Sequence, residues 1–168
     1  HRVLHASDAL QVIEIGVPAE HLTTIDHDMA LPNGPANPAR VFDGQRFVHH
    51  RAETAVWAPF RLPGLSSRDT GIAANTGGVA GVHVVRRGQG RDGRDVPVTR
   101  HKGGILFTYV LAGTMELSAE GHGATALDAG DAFVIPPGLA CGYGAMSDDL
   151  GLLEIALPGA VPTEVLSD

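Results

Sequence analysis

An all-β fold is predicted by three observations. The 168 residues are punctuated by 22 glycines and 11 prolines, which favour many tight turns over long helices. Between those breakers lie short runs dense in β-branched and aromatic residues. An apolar fraction of 43% can fill one sizeable core, and the length suits one domain in the range of roughly 100 to 200 residues.

Taken in order, QVIEIGV (11–17) reads as a candidate edge strand. DHDMALPNGPANPARVFDG (26–44) holds three prolines and two glycines, so it reads as an irregular arm. RFVHHRAETAVWAPF (46–60) reads as one or two strands ending before Pro59, with Trp57 and Phe60 as buried anchors. A meander of short strands is expected from about residue 65. AGVHVVRRG (80–88) has strand character, and GQGRDGRD (88–95) is a charged hairpin loop that lacks the GxxxxGK[ST] pattern of a phosphate loop. ILFTYVLAGTMELSAEG (105–121) is the clearest strand block, bent at Gly113. Alternation places Leu106, Thr108 and Val110 on one face and Ile105, Phe107, Tyr109 and Leu111 on the other, with both faces expected to be buried. ATAL (124–127), DAFVIP (131–136) and LGLLEIAL (150–157) supply three more strands. Strands this short need closure or stacking to protect their edges, which a compact antiparallel barrel or jelly roll provides.

The formal charge is -7, from 19 acidic and 12 basic residues, and the basic residues are scattered. No nucleic-acid or anionic-membrane partner is therefore expected. No apolar run approaches the roughly 18 residues that would span a bilayer. The opening HRVLHASDAL lacks the apolar block of a secretory signal, so a cytoplasmic protein is expected. Cys141 is the single cysteine and has no internal disulfide partner.

The glycines, prolines and histidine of residues 93–145 carry a resemblance. Gly93, His101, Gly113, Gly130, Pro136 and Gly138 stand at the spacings of G(X)5HXH(X)3,4E(X)6G and G(X)5PXG(X)2H(X)3N. The chain thus resembles the cupin superfamily over roughly residues 55–158. That resemblance implies an antiparallel double-stranded β-helix, a jelly-roll barrel with its core at about 46–158. Residues 1–45 would form an irregular N-terminal arm able to contact a second copy, within a single domain of residues 1–168.

In the resembled family, two histidines, a glutamate or glutamine and a third histidine converge on a divalent metal. Here those positions hold Thr99, His101, Leu106 and Cys141. A stable site needs about three or four good donors, so no cofactor is the leading expectation. The alternative is a Zn, Fe, Mn or Ni ion on a His83, His101 and Cys141 set. His49 and His50 are adjacent and face opposite sides of any strand, so they read as surface or interface polarity. His101 is either a pocket acid–base group or a wall histidine satisfied by backbone carbonyls. Tyr143 is a candidate donor at the pocket rim, two residues beyond Cys141. Arg68 and Asp69 read as candidates for a structural ion pair. Glu154 lies in an apolar run, so it must face solvent, pair with a cation or enter a cavity.

Three functions compete. The first is a small-molecule pocket, metal-poor and capable of modest acid–base chemistry through His101 and Tyr143, with Phe107 and Val110 packed around Leu106. The second is a metal-dependent dioxygenase, isomerase or cyclase. The third is a structural or interaction module. A homodimer is compatible with each of them.

Overall fold

The computed structural model describes residues 3, 5–30, 34–35, 37–88 and 96–166. Gly93 and most of the GQGRDGRD segment therefore lie outside the described residues. The chain divides into two units, His1–Ala36 and Asn37–Asp168.

In the first unit the expected strand at 11–17 does not form. Its described structure is local: the Asp26 carboxylate accepts the N–H groups of Asp28 and Met29, an Asx turn that competes with extended pairing.

The second unit is built from two antiparallel sheets and a small hairpin. The hairpin pairs β1 (Val41–Phe42) with β2 (Gln45–Arg46). Instead of further strand, Ala52–Thr54 forms one 3-10 turn. β3 (Ala58–Pro59) includes the proline that was expected to end it. β3 lies at the sheet edge, where an absent N–H breaks no ladder bond. β4 (Leu65–Asp69) leads through the single-turn α1 (Ile72–Asn75) into β5 (Gly81–Arg87). β6 (Thr99–His101), β7 (Ile105–Ala112), β8 (Thr114–Ala119), β9 (Gly123–Asp128) and β10 (Ala132–Val134) follow. β11 (Cys141–Gly144), β12 (Gly151–Leu157) and β13 (Thr163–Val165) complete the unit.

One sheet runs β10-β7-β12-β5-β4-β3 and the other β13-β6-β11-β8-β9. Consecutive strands repeatedly fall in opposite sheets, the pattern of a jelly roll. The core lies between them: Leu65, Val85, Leu106, Val110 and Leu152 from the first sheet meet Met115, Leu127, Cys141 and Tyr143 from the second. The chain reverses between β7 and β8 at Gly113, whose φ of 72° suits glycine. A Cβ there would collide with Ser147 Oγ and lie 2.8 Å from the Leu150 nitrogen.

The expected alternation on β7 holds, but its two faces differ. Leu106, Thr108 and Val110 are buried, whereas Ile105 and Leu111 are 49% and 44% exposed. Only the inner face of β7 meets the second sheet; Phe107 and Tyr109 share the outward face and are half-buried. Phe107 therefore does not line the barrel beside Leu106. Trp57 and Phe60 are likewise half-buried, not sealed anchors. Arg86 stacks over the Trp57 ring at 3.9 Å and Arg68 at 5.6 Å, so Arg68 engages an indole face and not a carboxylate. Asp69 instead accepts the Gly71 N–H at 2.8 Å.

Near the end of β12 the chain crosses the start of β5 so closely that two glycines meet. A Cβ on Gly81 would sit 2.5 Å from the Gly159 carbonyl oxygen, and one on Gly159 would sit 2.9 Å from the Ala80 carbonyl carbon. Here glycine is required by backbone proximity.

Candidate functional site

The site grows from a carboxylate within an apolar strand. Alternation along β12 turns Leu152, Glu154 and Ala156 inward, leaving Glu154 only 3% exposed. Its register partners are His83 on β5 and Thr108 on β7, so the three side chains form one row across the inner face. An unpaired carboxylate there would be costly. Arg61, in the turn between β3 and β4, meets that need: its Nε donates to Oε1 at 3.3 Å and its Nη2 to Oε2 at 2.5 Å. Arg61 Nη1 also donates to Thr163 Oγ1 at 3.0 Å, and that hydroxyl donates to the Val161 carbonyl at 3.1 Å. The guanidinium is thus anchored on both sides.

Around this pair stand groups without partners. Buried His83 Nδ1, Thr108 Oγ1 and Tyr143 Oη make no hydrogen bond. The His83 ring packs at a tilt against Phe60, with centroids 5.8 Å apart. The Tyr143 ring meets Phe133 edge-on at 6.1 Å. Burial pushes the Tyr143 phenol well above its ordinary pKa; the Glu154 carboxylate adds to that rise while Arg61 opposes it. Thr108 lies close enough to lower the phenol slightly, although the two hydroxyls do not meet at ordinary hydrogen-bond geometry. Burial also raises the Cys141 thiol, with Arg61 and then Thr99 opposing. Cys141 stands directly across from Thr99 in the β11–β6 ladder.

His101 is placed differently. Its Nδ1 accepts the Gly103 N–H at 3.1 Å, which leaves Nε2 to donate to the Ile135 carbonyl at 2.8 Å. Both ring nitrogens are committed to backbone, and the side chain is 3% exposed. Of the two roles open to His101, this geometry is that of the wall histidine. His49 is exposed, while His50 has a buried Nε2 without a partner.

A cleft of about 250 Å³ opens beside the ion pair, lined chiefly by Phe60, Arg61, Ser67, His83, Glu154 and Gly159. Thr108 and Tyr143 do not line it. A second cleft, about 310 Å³, is mainly apolar and reaches Leu117, Ile135, Leu139 and Cys141.

The side chains present do not fit a metal centre. Among the described residues, no group of three or more His, Cys, Asp or Glu side chains is placed to hold an ion, so His83, His101 and Cys141 are not gathered into a ligand set. The donor chemistry explains this. His101 has spent both nitrogens on backbone, Leu106 has no donor, and Cys141 is a buried thiol whose pKa is raised.

Of the expected site residues, Tyr143 lies near the ion pair, with Cys141 close enough to influence its phenol, and His83 occupies the row with Glu154. Arg61 was not singled out by sequence reasoning. The available signal was Glu154 itself: a carboxylate inside an apolar strand must face solvent, pair with a cation or enter a cavity, and Arg61 supplies the cation.

Residues 91–153 match the cupin domain family. The polyketide cyclase RemF from Streptomyces resistomycificus superposes with a TM-score of 0.59 at 17% identity, covering 73% of this chain and 87% of that one. A sugar phosphate isomerase of the cupin superfamily from Silicibacter pomeroyi gives 0.55 at 16%, covering 71% and 82%. A single-substitution variant of Streptomyces PAC13, with uridine, gives 0.54 at 16%, covering 71% and 90%. At these identities the likeness is one of fold. No curated protein matches the chain. Among the described residues, no helix is long and apolar enough to cross a membrane.

Proposed function

We propose, starting from the match of residues 91–153 to the cupin domain family, that the chain binds a small organic molecule in the cleft beside the Arg61–Glu154 pair and supports acid–base chemistry there. One observation carries this reading: His83 lines the cleft and carries a buried, unpartnered ring nitrogen, beside a carboxylate that is already paired. Unmet polar groups are costly in a finished core and useful where a ligand completes them. An imidazole is also suited to moving a proton near neutral pH. His83 takes the proton-transfer role in this proposal, and His101 takes the structural one. Tyr143, kept protonated, serves as a donor if ligand reaches the deeper hydroxyls.

The fold neighbours include a cyclase and an isomerase, reaction classes in which proton movement at carbon or oxygen is central. The reading is tested by ligand-observed NMR on wild type and His83→Ala, followed by solvent deuterium incorporation into any ligand found. Binding that disappears in His83→Ala supports the pocket, and deuterium incorporation supports catalysis. Binding unaffected by His83→Ala overturns this assignment of the site.

We also propose a homodimer, supported by the apolar side chains on the outward face of the six-stranded sheet, where Ile105 and Val134 are 49% and 56% exposed. A monomeric mass by light scattering across micromolar concentrations would contradict it.

A further inference from the structure

The charge arrangement of the cleft specifies the kind of molecule it accepts. Arg61 is the one permanent cation and Glu154 the one carboxylate among the described lining residues. Each neutralises the other through two hydrogen bonds, and Thr163 holds a third N–H of the guanidinium. A guanidinium carries five N–H groups, so with three engaged two remain as donors without an uncompensated charge behind them. His83 adds a ring nitrogen without a partner, and Ser67 adds a hydroxyl to the same wall.

We propose that this cleft selects an uncharged, oxygen-rich ligand, a polyol, sugar or hydroxy-carbonyl compound, and rejects the corresponding phosphate or carboxylate. The inference rests on the proposed small-molecule role of the cleft. A phosphate would have to draw Arg61 away from Glu154, leaving a carboxylate that is 4% exposed to face a second anion. A neutral hydroxyl or carbonyl imposes no such exchange. It can take the remaining guanidinium N–H groups and offer a hydrogen to His83 while the pair stays closed. The cleft volume of about 250 Å³ accommodates a molecule of triose to hexose size. Glu154 is thus a specificity-determining residue that works by cancelling Arg61.

The test compares matched neutral and anionic probes: glycerol, dihydroxyacetone and D-xylose against inorganic phosphate, dihydroxyacetone phosphate and xylose 5-phosphate. Binding is followed by saturation-transfer and phosphorus NMR on the full chain. Wild type is expected to bind at least one neutral probe and to prefer it over its phosphate by about tenfold or more. Glu154→Gln releases the charge of Arg61 and is expected to bind inorganic phosphate at least about tenfold more tightly than wild type does. An Arg61→Gln/Glu154→Gln double variant leaves neither charge alone and is expected to gain no phosphate affinity, which separates charge release from altered packing. Preference of wild type for the phosphorylated probes would overturn the selectivity while leaving the small-molecule role standing. Equal phosphate affinity in wild type and Glu154→Gln would overturn the role assigned to Glu154. No binding of any probe by wild type or the double variant would overturn both the selectivity and the pocket reading beneath it.

Discussion

Arg61 Nη2 lies 2.5 Å from Glu154 Oε2, joining positions 93 residues apart. The Arg61 side chain is 20% exposed and that of Glu154 4%, so the bond fastens a turn to the barrel interior. Breaking one partner leaves the other charge stranded, and the more buried partner is the carboxylate. Arg61→Ala should therefore lower unfolding free energy by about 3–5 kcal/mol in urea titrations. Arg61→Met/Glu154→Leu removes both charges while keeping volume, and should recover most of that loss. A double variant as unstable as Arg61→Ala would contradict this account.

The two inward histidines should separate cleanly. His101→Ala leaves the Gly103 N–H and the Ile135 carbonyl without their buried partner, at about 1–3 kcal/mol for each group. His83→Ala removes a ring with an unmet nitrogen and should cost less than about 1 kcal/mol net. Denaturation midpoints check the first claim, and ligand affinity should respond in the opposite order. Similar stability losses in the two variants would contradict this division of labour.

Alkaline behaviour follows from the raised phenol and thiol. Tyr143 and Cys141 both hold their protons longer when folded than when unfolded. As pH rises past the ordinary tyrosine value of about 10, the unfolded chain releases protons that the native chain retains, so stability falls. Tyr143→Phe should flatten this fall between about pH 9.5 and 11. It should also add about 1 kcal/mol at neutral pH by removing an unpartnered hydroxyl. Urea titrations across that pH window provide the measurement.

Gly113→Ala should be among the most damaging of the small substitutions. The left-handed φ disfavours any side chain, and the space is already occupied by Ser147 and Leu150. A loss of about 2 kcal/mol or more is expected from thermal or chemical unfolding. Gly121→Ala has a similar φ of 76° with nothing within 4 Å, so it isolates the backbone contribution and should cost less.

Strands β5, β7, β8, β9, β10 and β12 were legible because their apolar runs are separated by glycine and proline, whereas the short β6, β11 and β13 carry no such run and were not read individually. The amino-terminal region was harder: QVIEIGV has strand composition, but composition cannot supply a ladder partner. The site was legible only in part. Glu154 announced an unmet requirement, and register then placed His83 beside it. Nothing local in the Phe60-Arg61-Leu62-Pro63 turn signals that its arginine answers that requirement, since the pairing depends on closure of distant chain segments. His101 illustrates the converse: spacing identified an inward position, while the neighbouring backbone had already taken both of its nitrogens.

The crossing of Gly81 and Gly159 bears on how such a cleft can diversify. Gly159 lines the opening, and each glycine occupies the space that a side chain on the other would need. That border is set by main chain touching main chain, so single substitutions there disturb the scaffold before they reshape the entrance. In the proposed pocket, variation in ligand preference would fall instead on Phe60 and Ser67, whose side chains line the cleft away from that crossing.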